Sequence, residues 1–341
     1  MIMKSVVVLL AAVPCLWPAT KPGAAEEAKQ GLALAHQGKY ELAIPHYRAA
    51  IAANSRLPGI YLNLGLAYFK LDRFSDAASA FEQALKQDPA SFQARVLMGM
   101  SYYGCRRFDA AAAELKRAAD AQPDNIELRY KLAQSYLWSG QYQGAKDEFQ
   151  FLLRKQPDSG PVHMLLGEVL DAANQTDSAI AEFETAVRSA PREPEVHFGL
   201  GYLYWKQKRY DEARREFQAE LSNSPQHVQS LTYLGDAEMN GENDAEAVKH
   251  LELALSLDAY VRLAHLDLGI LLAKTNDSAA AEKHFREAVR LDPAKPDAHY
   301  RLGRLLRTLG RSDEATAEFA KVKDLTPDET QPLMKVTGPP R

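Results

Sequence analysis

The sequence predicts an all-α protein built from nine copies of one helix-turn-helix unit. Three observations predict it. The chain repeats itself every 34 residues from Ala24 to Glu329 without insertion or deletion. Within each copy, small and apolar residues recur three and four apart in two separate blocks, which is the spacing of two amphipathic helices. A proline closes most copies, where it stops the second helix before the next unit begins.

The copies start at residues 24, 58, 92, 126, 160, 194, 228, 262 and 296. Position 8 of the unit is glycine in eight copies, from Gly31 and Gly65 to Gly303, with Ala133 the exception. Position 20 is alanine in all nine, from Ala43 to Ala315. Position 24 is bulky throughout, as in Tyr47, Phe81, Phe149, Phe183, Phe217, Leu251 and Phe285. Tyr61, Leu64, Gly65 and Tyr68 lie on one face of a first helix; Ala77, Phe81 and Ala84 lie on one face of a second. Polar turns such as Asp72-Arg73-Phe74-Ser75-Asp76 separate them. Small residues at positions 8 and 20 let two helix axes approach closely, and the bulky residue at 24 fills the neighbouring hole. One pair cannot bury its apolar face alone, so each copy needs its neighbours.

The 34-residue period carrying Leu64-Gly65-x-x-Tyr68, then Ala77, Phe81, Ala84 and Pro89, resembles the tetratricopeptide repeat. The resemblance spans about nine-tenths of the chain. It implies a right-handed superhelical solenoid whose concave groove is lined mainly by first helices. It also implies binding of protein or peptide segments, without catalysis.

In that geometry positions 5, 9 and 12 of each unit face the groove. The expected partner-binding residues are Phe69, Met100, Tyr103, Tyr130, Trp138, Met164, Glu168, Asp171, Phe198, Tyr202, Trp205, Asp236, Arg304 and Arg307. Aromatic side chains offer large contact area at low rotamer cost, and methionine adapts to irregular partners. The carboxylates among them suit a Lys or Arg of the partner. The same aromatics at helical spacing also fit simple packing between first helices. The family variant that clamps C-terminal carboxylates with Lys and Asn is not expected, because those places hold apolar, acidic or aromatic residues.

Residues 1–23 read as an N-terminal signal peptide, and cleavage after Ala25 also satisfies the small-x-small rule. Met1-Ile2-Met3-Lys4 is a short basic start, Ser5 to Trp17 an apolar run, and small residues follow. The expectation is therefore a periplasmic or secreted protein, or a cytoplasmic one if the segment is not a signal. Cys15 fits a lipobox poorly, because Pro14 stands where a small residue belongs. Residues 330–341 form a short Pro-containing tail, too short for the capping helix of many family members. Phe319, Val322 and Leu325 are then open to the tail or to a second molecule, which implies self-association through this end.

Composition excludes several classes. The chain has 341 residues, a net charge of −4 and two cysteines. Lys and Arg are not in excess, which argues against nucleic acid or an anionic membrane as partner. Two cysteines cannot build a disulfide scaffold. No catalytic, phosphate-cradling or dinucleotide motif is present, so no enzyme activity and no cofactor is expected. Four histidines share position 4, namely His163, His197, His265 and His299; packing is the expected role, not metal binding. Asn174 and Asn276 satisfy the glycosylation pattern but fall in turns, where Asn is common anyway. Arg301, Arg304, Arg307 and Arg311 form a basic stripe at helical intervals that suits an acidic partner; a solvated terminal face is the preferred reading. The seventh copy is irregular: Glu220 precedes it, Glu238 lies within it and Ala259 replaces proline. Two carboxylates near one interface predict a soft junction there. The expected function is an exported, non-enzymatic scaffold. A holdase-like chaperone and a non-catalytic subunit of an enzyme complex are the alternatives.

Overall fold

The computed structural model describes residues 23–325. The described residues form eighteen α-helices and no strand. The chain divides into two units, one ending at Arg107 and one beginning at Phe108. The first holds α1 (Ala24–His36), α2 (Tyr40–Ala53), α3 (Ile60–Lys70), α4 (Phe74–Gln87) and α5 (Phe92–Gly104). The second opens with α6 (Phe108–Ala121), α7 (Ile126–Trp138), α8 (Tyr142–Lys155), α9 (Gly160–Ala172), α10 (Thr176–Ser189) and α11 (Val196–Lys206). It continues through α12 (Tyr210–Asn223), α13 (Val228–Asn240), α14 (Asp244–Leu257), α15 (Arg262–Lys274), α16 (Ser278–Leu291), α17 (Pro296–Thr308) and α18 (Ser312–Asp324). The expected signal segment and the C-terminal tail lie outside the described residues.

The 34-residue period sets the helix boundaries. Every second helix begins at position 17 of its copy, from Tyr40 in α2 to Ser312 in α18. The turn before it is the same in all nine copies. Position 15 has a positive φ whether it is Gly38, Asp72, Arg106, Gly140, Asn174, Lys208, Glu242, Asn276 or Gly310. The next residue's N–H returns to the carbonyl five residues back, as in Arg73 to Tyr68 (3.0 Å) and Gln175 to Leu170 (2.8 Å). That left-handed residue and that bond form a Schellman ending, which satisfies carbonyls the first helix leaves free. Asn174 and Asn276 are placed there by this backbone requirement, because Asn tolerates the left-handed region better than most residues.

Two first helices, α3 and α11, begin two residues late. Pro58 and Pro194 open their copies, and each is followed by a second left-handed residue, Gly59 (φ 72°) and Glu195 (φ 69°). Glycine takes that conformation freely; at Glu195 it costs about 1–2 kcal/mol.

Within each unit, every helix packs against the one before it and the one after it. The core is a row of rings seated on bare backbone. A Cβ on Gly65 would lie 2.5 Å from the Phe81 ring, one on Gly167 2.5 Å from Phe183, and one on Gly269 2.6 Å from Phe285. Those rings are at most 2% exposed. Phe183 is held from both sides, since a Cβ on Gly199 of the next copy would overlap it as well. In the last copy Phe319 is only half-buried, because no further repeat covers it among the described residues.

Gly199→Ala tests this packing. Alanine gains about 1 kcal/mol of helix propensity, but overfilling a packed core costs about 1–3 kcal/mol. The expected outcome is a lower urea midpoint for Gly199→Ala, followed by far-UV circular dichroism.

Candidate binding face

In the first unit Phe69 and Met100 are half-buried and Tyr103 is buried. The Phe69 ring meets Phe74 edge-on, with centroids 5.5 Å apart. In the second unit Tyr130 and Trp205 are half-buried, while Arg304 and Arg307 are exposed. Trp138, Met164, Glu168, Asp171, Phe198, Tyr202 and Asp236 are all buried. With Tyr103 that makes eight expected groove residues that the free chain buries, and the expectation that they line an open groove is corrected on that point. Positions 5, 9 and 12 adjoin positions 4, 8 and 11 on a helix, so a small rotation moves them from one side of the face to the other.

The aromatic set near the centre of the second unit fills its own space. Tyr202 stacks on Trp205 with centroids 5.7 Å apart. Tyr233 of α13 meets the Trp205 ring edge-on at 4.9 Å and lies 6.0 Å from Phe217 of α12. The Trp205 indole N–H donates to Asp236, whose carboxylate also accepts from Asn240 at 3.1 Å. Burial pushes the Asp236 carboxyl above its usual range, and these two donors oppose that shift. Burial also raises the Tyr233 phenol well above its ordinary value. Asp171 is held by Lys206 Nζ at 2.7 Å. Lys206 and Tyr233 were not anticipated. Tyr233 sits at position 6, outside the expected groove positions.

A second pattern, missed in the sequence, joins position 4 to position 23 within a copy and to the carbonyl at position 32 of the copy before. His163 Nδ1 lies 2.6 Å from Glu182, and its Nε2 donates to the Pro157 carbonyl at 2.7 Å. His299 does the same with Glu318 and Pro293. Arg129 makes both contacts, to Glu148 at 2.6 Å and to the Pro123 carbonyl. His197 pairs with Glu216 at 2.7 Å. In the first copy the order is reversed, with Glu27 at position 4 and His46 at position 23, 2.7 Å apart. The signal was available: carboxylates at Glu148, Glu182, Glu216 and Glu318 each stand nineteen residues after a cationic or titratable partner.

Where a position-4 histidine faces a carboxylate and a carbonyl at once, each ring nitrogen has its own acceptor. Arginine at the equivalent place performs the same task. The Glu216 hydrogen bond, opposed by burial, raises the His197 pKa. The eighth copy inverts this. His284 replaces the carboxylate, and its Nδ1 lies 2.9 Å from Nδ1 of His265. His265 Nε2 faces the Ala259 carbonyl at 3.2 Å. Burial first, then the nearness of His265 and Lys283, lower the His284 pKa.

Glu220, just before the seventh copy, and Glu238, within it, each find a partner. Glu220, 1% exposed, accepts from the backbone N–H of Glu195 at 3.4 Å and of Phe198 at 3.3 Å. It caps the delayed start of α11 from the neighbouring second helix. Glu238 pairs with His250 Nδ1 at 2.7 Å. The mutual repulsion expected to soften this junction is therefore replaced by two separate partnerships.

Models of the family described as tetratricopeptide repeat match residues 62–126, 164–227, 198–261 and 266–330. Further models match residues 102–169 and, as TPR repeat, residues 31–72. No curated protein matches the chain. Among solved structures, pilF of Pseudomonas aeruginosa is similar at a TM-score of 0.53 and 21% identity, covering 61% of this chain and 95% of that one. The C-terminal part of a TPR repeat-containing protein from Cytophaga hutchinsonii is similar at a TM-score of 0.55 and 17% identity, covering 70% and 98%. At such identities the likeness is one of fold.

Two measurements check the ties. Glu220→Ala removes a buried cap and leaves two donors unpaired, and is expected to cost about 1–3 kcal/mol in denaturant unfolding. For His197 the raised folded pKa means its contribution is complete below the ordinary imidazole value and is lost as pH rises through the folded one. The stability gap between the wild type and His197→Gln should therefore close on alkalinisation, while His197→Arg keeps it open. At His284 the sign reverses: stability falls as pH drops below the ordinary imidazole value, and His284→Glu should relieve that acid loss.

Proposed function

The chain belongs to the tetratricopeptide repeat family, and from that premise we propose that it is a non-enzymatic, exported scaffold that holds protein segments on the face formed by its first helices. Family members are in general non-catalytic scaffolds for protein–protein interaction, and the repeats of this chain support that coarse reading. The observation that carries the reading is packing between first helices. In the second unit α11 touches α13, α13 touches α15 and α15 touches α17, so side chains of successive copies share one surface.

The burial pattern refines which side chains are offered. The buried aromatics give the face its rigidity. Half-buried residues such as Trp205, Met239 and Ile270 are the ones a partner can cover. Apolar side chains that are already largely immobilised lose little rotamer entropy on binding, which favours affinity. The export part of the reading rests on the basic start, apolar run and small residues before Ala25. Among the described residues no helix is long and apolar enough to cross a membrane.

Site-specific photo-crosslinking in cells tests the proposal. A benzophenone side chain at Met239 or Ile270 is expected to capture a few defined polypeptides. The same probe at Glu252 or Lys283, exposed on second helices, is expected not to. Equal capture from both faces, or turnover of a substrate by the purified chain alone, would overturn the scaffold. A broad smear of unfolded clients would replace it with the chaperone reading. Fractionation of a C-terminally tagged chain tests export.

A further inference from the structure

Arg301, Arg304 and Arg307 stand three residues apart on α17, and all three are exposed. Among the described residues none of them is paired with a carboxylate. Arg304 lies over the Tyr300 ring at 5.8 Å and Arg307 over Phe319 at 5.4 Å. Arg311, the next basic residue, is different: it is held by Glu282 and Glu314, both at 2.7 Å. Three unmatched guanidinium groups on one helix repel one another, in a chain whose net charge is −4.

The stripe borders a built hollow. Arg301 and Arg304 stand at the rim of a pocket of about 400 Å³ between α15 and α17, with Ile270, Ala273 and Leu305 among its apolar lining. Lys274 at its edge is already engaged by Asp244. No carboxylate lines the pocket. Two acidic groups lie close to Arg301 in the fold. Asp297, one turn earlier on α17, is paired with Arg262. Asp267 is 2% exposed and beneath the surface, and burial raises its pKa, with Asp236 adding to the shift and Arg262 and Arg301 opposing it.

We infer that this face of the ninth repeat docks an acidic protein segment, with Asp or Glu side chains on Arg301 and Arg304 and a neighbouring apolar side chain in the pocket over Ile270 and Leu305. The inference rests on the scaffold reading and names the chemistry of one partner site within it. Guanidinium groups pair with carboxylates through two parallel hydrogen bonds, and each such bond is roughly twice as strong as a neutral one. Arginine suits this task better than lysine because its planar fork is already organised. An apolar side chain beside the carboxylates adds contact area where water is excluded.

The test uses the full chain and acetylated, amidated peptides, so that chain termini play no part. A fluorescent peptide with Glu-Glu-Leu-Glu-Glu at its centre is compared with the Gln-Gln-Leu-Gln-Gln version by anisotropy. The acidic peptide is expected to bind saturably, and binding should weaken about tenfold in Arg301→Gln/Arg304→Gln and again on adding salt. Circular dichroism of that variant should be unchanged, since both side chains are exposed. The reversal Arg301→Glu/Arg304→Glu should switch preference to a Lys-Lys-Leu-Lys-Lys peptide. Equal binding of acidic and neutral peptides, indifferent to the arginine variants, would overturn the inference and leave the scaffold reading standing. No binding of either peptide at concentrations up to about 1 mM would overturn it too, and the crosslinking experiment would then judge the scaffold independently. Binding seen only in Asp328→Asn/Glu329→Gln would assign the face to the chain's own acidic residues and also overturn it.

Discussion

The structure depends on one steric condition: a very small residue at position 8, glycine in eight copies and Ala133 in the fourth, where the bulky side chain at position 24 must sit. A Cβ on Gly65, Gly167 or Gly269 would come within 2.6 Å of the facing phenylalanine, closer than carbon atoms can rest. With hydrogen there instead, the ring lies flat on backbone and is lost to solvent. Burying one such ring is worth about 2–3 kcal/mol, and the condition is met again sixteen residues after each glycine. Contacts of such short range favour a stack that grows copy by copy. Phe183, enclosed by Gly167 on one side and Gly199 on the other, shows how the same condition also binds one copy to the next.

Ring packing is non-directional, and the polar tie supplies direction. The carbonyl at position 32 lies just past a helix end, where it has no intrahelical donor. Position 4 of the next copy provides one, and the carboxylate at position 23 holds that donor in place. His163, His299 and Arg129 meet the same two acceptors, so the placing of two side-chain nitrogens rather than ring shape is what these three copies share. The seventh copy shows the compensation when the donor is lost. Leu231 stands at position 4, which strips His250 of its usual partner, and Glu238 on the first helix takes over at 2.7 Å. The two departures that look like irregularities in the sequence are one exchange of partners.

The fold was legible in the sequence because its determinants are periodic. Position 8, position 20 and the 34-residue period give the number, boundaries and pairing of the helices, and the second helices begin on that period in all nine copies. The turn at position 15 was less legible, because Arg106, Lys208 and Glu242 also take the left-handed conformation there, at a cost that glycine does not carry. The delayed starts of α3 and α11 were not legible, because proline opens three copies alike, as Pro58, Pro194 and Pro296, and α17 begins on its proline without delay. The candidate face was only half legible. Spacing puts Tyr202 and Asp236 at expected groove positions, yet both are buried. It does not show that the Tyr233 ring meets Tyr202 edge-on, because that contact joins different copies.

The burial of those aromatics also changes where recognition can reside. A rigid aromatic interior leaves apolar contact to a few half-covered side chains, and such contact discriminates poorly among partners. Discrimination then falls to charge. Several charged groups on the helix surfaces of the second unit are answered within the chain, as in Arg209 with Glu212 and Arg286 with Glu282 and Glu314. Those pairs are spent and project little field. The stripe on α17 has no carboxylate partner among the described residues at Arg301, Arg304 and Arg307, Asp297 of the same helix being held by Arg262. An arriving carboxylate there displaces water from guanidinium groups that have no competing partner, whereas at a paired arginine it must first break an existing bond. The physical basis for selectivity is therefore concentrated where the repeats leave charge unspent, at the last first helix.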